Sequence, residues 1–161
     1  MMAATNQIDG RKAFEEAVRE AFAEAAAEGW RELYLCDPDF AHWPLGERAV
    51  VDSVTQWIGG KRRLTLVALH YDELARRYPR WLRWRALWAH AVDCRAATEI
   101  ATDDMPALLL APGALTLQLD DPLRFLGRVS RDPADAVLAR EKIDAILQHS
   151  VEALPVTTLG L

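Results

Sequence analysis

The stretch Leu33-Tyr34-Leu35-Cys36-Asp37-Pro38-Asp39-Phe40-Ala41-His42-Trp43-Pro44-Leu45-Gly46-Glu47-Arg48-Ala49-Val50-Val51 decides the reading of this chain. A short apolar run, Leu33 to Cys36, goes straight into the acidic loop Asp37-Pro38-Asp39, and Trp43-Pro44-Leu45-Gly46-Glu47 then opens an amphipathic helix. A buried strand that ends in a polar loop before a helix is the repeating unit of an α/β domain. Open α/β sheets place their ligands in such loops.

The pattern extends in both directions. Upstream, Asp9 is placed to cap a helix from about Gly10 to Glu28, in which Phe14, Val18, Ala21, Phe22 and Ala25 form one apolar stripe, and Gly29 ends it. Downstream, the spacing predicts a helix over Gly46 to Ile58, with Val50, Val54, Trp57 and Ile58 facing inward, stopped by Gly59-Gly60. Leu64 to Leu69 reads as a strand covered on both faces, because its apolar run is almost unbroken. A short helix, Tyr71 to Tyr78, is broken at Pro79, since the residue before a proline resists helical backbone. A second helix then runs from Pro79 to His90, and a third strand lies around Ala91 to Arg95. Ala107 to Ala111 and Leu115 to Leu119 flank Pro112-Gly113 and read as a hairpin. Phe125 to Val129 is one more strand, and Asp132-Pro133 caps a final helix reaching about Leu154. The predicted order is α-β-α-β-α-β-β-β-α. This is an α/β fold, a mixed β-sheet between helical layers, parallel in its first half and antiparallel in its second.

The chain has 161 residues, 51% of them hydrophobic, enough for one full-sized core. We read 1–161 as a single domain, with an N-terminal helix over 1–29, an α/β core over 30–154 and a loose tail over 155–161. The formal net charge of −5 opposes whole-surface attraction to nucleic acid or anionic lipid. Charge is uneven, however: Lys61 to Arg95 holds nine basic residues against Asp72, Glu73 and Asp93, which is +6, leaving −11 elsewhere. Cys36 and Cys94 lie in apolar stretches and read as buried thiols. The charged, Ala- and Glu-rich beginning does not resemble a secretory signal, and no apolar run is long enough to cross a bilayer. A cytoplasmic protein without a membrane span is expected.

The order of elements resembles one half of a phospholipase D-type domain over roughly Trp30 to Leu154, and the segment with Trp43-Pro44-Leu45-Gly46-Glu47-Arg48 also resembles a family of uncharacterised bacterial domains. The first resemblance implies a His-x-Lys pair with an Asp a few residues on: the His attacks phosphorus and the Lys neutralises the phosphoryl oxygens. Its expected location is the strand Ala107 to Leu110. The chain's histidines are followed two positions later by Pro44, Asp72, Val92 and Val151, and its lysines, Lys12, Lys61 and Lys142, lie outside that strand. Without a nucleophile beside a fixed cation, the covalent phosphoryl route lacks both its attacking atom and its charge stabilisation. The resemblance therefore implies a scaffold without catalytic residues, acting as a binding or interaction module. It also implies a homodimer, since single halves of this type are usually completed by a second copy.

Candidate residues remain. Asp37-Pro38-Asp39 after a strand resembles the opening of haloacid dehalogenase-type phosphatases, in which the first Asp is the nucleophile, the second the acid, and Mg²⁺ sits between them. Phe40 and Ala41 stand where that motif has Gly and Thr, so capping of loop amides by Asp37 and Asp39 is the favoured reading. Asp37, Asp39, His42 and Glu47 match no defined metal spacing, and no cofactor or metal is expected. His70, at the end of the second strand, is expected to point toward the same sheet edge as Asp37, with Glu47 and Arg48 nearby as further ligand-binding candidates. Trp81, Trp84 and Trp88 recur at helical spacing beside Arg76, Arg80, Arg83 and Arg85. Aromatics interleaved with arginines can stack bases and hold phosphates. Core packing with arginines laid over its edge is the favoured account, a subunit interface is the third, and nucleic acid is not expected as a partner.

Overall fold

A computed structural model describes residues 5–154. The loose tail expected over 155–161 lies outside them. The elements are β1 (Thr5–Asp9), α1 (Arg11–Glu28), β2 (Glu32–Cys36), α2 (Arg48–Ile58), β3 (Arg63–Ala68), α3 (Asp72–Arg77), α4 (Pro79–Leu87), β4 (Val92–Ala96), β5 (Ala107–Ala111), β6 (Leu115–Asp121), β7 (Leu126–Ser130), α5 (Pro133–Leu147) and β8 (Val151–Glu152), with a turn of 3₁₀ helix at Thr102–Asp104.

The strands form one eight-stranded mixed sheet in the order β1-β7-β6-β5-β2-β3-β4-β8. β2, β3 and β4 are parallel neighbours, linked by crossover helices, and every other pairing is antiparallel. Because successive side chains point to opposite faces, the apolar central strands feed two cores. Leu33, Leu35, Leu64, Leu66, Ala107 and Leu109 face α1, α2 and α4. Cys36, Val67, Leu108 and Leu110 face the other way, toward Ala136, Ala139, Ile143 and Ile146 of α5. This is the layered α/β architecture expected, with the parallel and antiparallel halves where the sequence put them.

The differences sit at the margins. Strand β1, in the segment expected to hold only a helix, pairs along its whole length with β7. The last helix ends at Leu147 instead of about Leu154, because Val151–Glu152 adds an edge strand to β4. Arg95 fixes that corner: its Nε donates to Ser150 Oγ at 2.7 Å and its Nη2 to the Ser150 carbonyl at 3.0 Å. The helix opened by Pro79 stops at Leu87, short of His90. Cys36 and Cys94 are free, buried thiols. Among the described residues no helix is long and apolar enough to cross a membrane.

Candidate functional site

The loop after β2 is shaped by its own carboxylates. Asp37 Oδ2 accepts from the backbone N–H of Asp39 at 3.1 Å and of Phe40 at 2.8 Å, and Asp39 Oδ1 accepts from the N–H of Ala41 at 3.0 Å. These bonds hold the chain while Phe40 takes a left-handed backbone at φ 58°, which is unfavourable for a non-glycine residue. Phe40 is fully buried in return, packed edge-on to Trp43 at 5.2 Å. The loop is tied to the neighbouring helices through Tyr78, whose hydroxyl donates to the Ala41 carbonyl at 2.9 Å. The same ring lies on Gly46: a Cβ there would stand 2.5 Å from Tyr78 Cδ1, so only glycine admits this approach.

Beside the loop, an open cleft of about 630 Å³ runs along the β2, β5 and β6 ends of the sheet. Its lining comes from distant segments: Phe14 of α1; Asp37, Asp39, His42 and Trp43 from the β2–α2 loop; Asp103 and Met105 before β5; and Leu119 to Phe125 around the β6–β7 turn, apart from Arg124. Antiparallel pairing of β5 with both β2 and β6 brings these segments together, Cys36 lying opposite Leu108 and Ala107 opposite Leu119. Phe14 contacts Trp43 edge-on at 5.5 Å and Phe125 at 5.7 Å, and His42 meets Phe125 at 5.6 Å. Burial pushes the Asp37 carboxyl up to about 6, against the opposing pull of the Trp43 indole and the Phe40 and Asp39 amides. The Trp43 Nε1–H lies near that carboxyl without completing a hydrogen bond.

The sequence candidates divide. Asp37 and Asp39 line the cleft. Glu47, Arg48 and His70 do not. Glu47 turns toward α1, where its two carboxylate oxygens accept from Arg19 Nε at 2.8 and 3.0 Å. Arg48 is exposed on the first turn of α2, and His70 is exposed beyond the end of β3. Parallel pairing of β2 with β3 sets His70 at the same sheet edge as Asp37, with the Leu69 N–H donating to the Pro38 carbonyl at 2.9 Å, but the cleft opens on the other side of β2, toward the β5 and β6 ends. His42, grouped with Asp37 in the sequence, lines the cleft too. Asp103, Asp120, Asp121 and Phe125 complete it, and no local pattern in the sequence could have joined them to Asp37.

The Trp and Arg helix also divides. Trp81 and Trp84 are buried, and so is Arg85, whose Nε and Nη1 have no hydrogen-bond partner. Arg76 is held by Glu73 at 2.6 Å, Arg80 Nη1 donates to the Gly46 carbonyl at 3.2 Å, and Arg83 is exposed. The indole faces needed for base stacking are therefore spent on the core, with arginines over its rim.

Where the phospholipase D-type pair was expected, β5 carries Ala107, Leu108, Leu109 and Leu110, none more than 1% exposed, preceded by Met105 and Pro106. No protein-family model matches the chain, and no curated protein matches it. Solved structures do. The Helicobacter pylori protein NucT aligns with a TM-score of 0.61 at 6% identity, over 94% of this chain and 99% of its own. Nuc of Salmonella typhimurium, a phospholipase D family member, gives 0.58 at 9% identity, over 94% and 98%. TrmBL2, an archaeal chromatin protein described as showing a novel mode of DNA binding, gives 0.63 at 14% identity over 92% of this chain, which spans about half (54%) of it. At such identities the likeness speaks for architecture alone, and that architecture is the phospholipase D-like α/β fold.

Proposed function

We propose that this chain is a non-catalytic phospholipase D-like module that binds a ligand in the cleft at the β2, β5 and β6 ends. The observation that carries the reading is the composition of the place where phosphoryl chemistry would reside: apolar, buried residues at 107–110 and carboxylates around the opening. A phosphodiester entering there meets no lysine or arginine among the lining residues and several negative charges. Two buried, unpaired thiols fit a reducing compartment, and we place the protein in the cytoplasm. Pairing with a second copy belongs to the same reading, with Leu123, 94% exposed at the mouth of the cleft, as the side chain most available to a partner.

Two measurements test this. Incubation with bis(p-nitrophenyl) phosphate, with and without Mg²⁺, is expected to give no release above buffer. Metal-dependent turnover that vanishes in Asp37→Asn would instead establish a phosphate-ester hydrolase working through Asp37 and Asp39. Size-exclusion chromatography with light scattering is expected to give twice the 18.1 kDa chain mass. A clean monomer at micromolar concentration removes the pairing.

A further inference from the structure

The cleft has a charge pattern that specifies its ligand. Asp37, Asp39, Asp103, Asp120 and Asp121 line it, with no lysine or arginine among the lining residues. Asp120 and Asp121 are partly neutralised from outside, by Arg128 at 3.3 Å and Arg124 at 3.9 Å. Asp37, Asp39 and Asp103 have no ion-pair partner within 4.0 Å among the described residues. In Asp37 both amide contacts fall on Oδ2, which leaves Oδ1 without a backbone donor. The walls are apolar and aromatic, formed by Phe14, Trp43, Met105, Leu119 and Phe125. Trp43, 1% exposed, stands in the same wall, and its Nε1–H lies near the Asp37 carboxyl without completing a hydrogen bond. Buried donors in folded proteins are nearly always satisfied, by protein, water or ligand.

Resting on the non-catalytic reading above, we propose that this cleft binds an organic cation, an alkylammonium or guanidinium carried on an apolar or aromatic body. The cationic head is attracted by the unpaired carboxylates of Asp37, Asp39 and Asp103. The body packs against Phe125 and Leu119, with the ring faces adding a cation–π contribution. A bare metal ion fits less well, because among the described residues no three His, Cys, Asp or Glu side chains converge on one point. The carboxylates sit around the cavity on three chain segments, a spacing for a bulky charge and not for a coordination sphere of 2.0–2.6 Å.

The test is isothermal titration of the full chain with phenethylammonium and benzyltrimethylammonium chlorides, alongside 2-phenylethanol, diethyl phosphate and MgCl₂, with the indole ¹H–¹⁵N resonance of Trp43 followed in parallel. The expected result is saturable binding of the cations, at least about tenfold tighter than the neutral alcohol, weakening as salt rises and moving the Trp43 resonance. Asp37→Asn and Asp103→Asn are each expected to weaken it by about tenfold, a loss of 1.4 kcal/mol by the usual conversion. Asp52→Asn, exposed on α2 and outside the lining, is expected to change nothing. Equal binding of alcohol and cation, a Trp43 response to diethyl phosphate or to Mg²⁺ alone, or no cation binding by the folded wild-type chain overturns the proposal. Those outcomes leave the non-catalytic reading standing, which falls only to turnover in the phosphodiester assay.

Discussion

Replacing Asp37 by Asn is expected to stabilise the fold at neutral pH and to do so only there. The carboxyl belongs to the β2–α2 loop, and burial raises it from 3.8 to about 6 in spite of two backbone amides on Oδ2. Between those values the folded state holds a proton that the unfolded chain has released. The contribution of Asp37 is therefore most favourable below pH 3.8 and is lost as pH rises through about 6. Each pKa unit separating the two states is worth about 1.4 kcal/mol, so ionised Asp37 destabilises the fold by about 3 kcal/mol at pH 8 relative to its protonated form. Asparagine keeps an oxygen able to accept from the Asp39 and Phe40 amides and carries no charge. Urea unfolding of both proteins at pH 4 and pH 8 isolates the effect, because other carboxylates cancel in the difference. The variant is expected to gain up to about 3 kcal/mol at pH 8 and much less at pH 4. A variant less stable than wild type at pH 8, or a difference independent of pH, refutes the account of a desolvated, uncompensated charge.

Gly127→Ala is expected to lower stability by about 1–3 kcal/mol in thermal melts. An added Cβ would stand 2.0 Å from the Gln118 carbonyl oxygen, so β6 and β7 must part, and an unchanged melting temperature would contradict that contact. Glu47→Gln removes the Arg19 pair, but with side chains 33% and 38% exposed the loss is expected to stay below about 1 kcal/mol in urea unfolding, with cation titrations unaffected. Arg83→Glu is expected to produce no change in a gel-shift assay at low salt, because wild type should show no salt-sensitive DNA retention to lose. Retention abolished by the substitution would restore the nucleic-acid reading.

The central strands were legible because strands covered on both faces are written as apolar runs, and Leu33 to Cys36, Leu64 to Leu69 and Ala107 to Ala111 are such runs. Strand β1 was not, since Thr-Asn-Gln-Ile-Asp offers Ile8 alone to the core and pairs at the edge through its backbone. Strand β8 is two exposed residues recruited by Arg95, a tertiary contact with no local trace. The candidate site follows the same logic. Asp37 and Asp39 announce themselves by following a buried strand. Glu47, one helix entry later, reads as a neighbour but is turned away by Arg19, 28 positions upstream. Asp103, Asp120, Asp121 and Phe125 join Asp37 only through the order β6-β5-β2, which element succession left open.

That strand order also gives the missing catalytic pair its physical meaning. Leu108 faces α5 from the middle of the sheet and pairs with both Cys36 and Gln118, so a lysine there would be placed in an apolar layer with no carboxylate among its core neighbours. Restoring a His-x-Lys pair within Ala107 to Leu110 would thus require rebuilding the α5 interface as well as the cleft. The carboxylates point the same way: Asp37 destabilises its own fold when ionised and has no protein cation to offset it. Asp37 holds the loop through its two amide contacts, and a cation bound in the cleft as proposed would also offset its charge, so the stability lost at pH 8 should be recovered when the cleft is filled. Wild-type unfolding at pH 8 in saturating benzyltrimethylammonium should approach that of Asp37→Asn, whereas the variant itself should respond weakly. Equal stabilisation of the two proteins by the cation would show that Asp37 is not the group it meets.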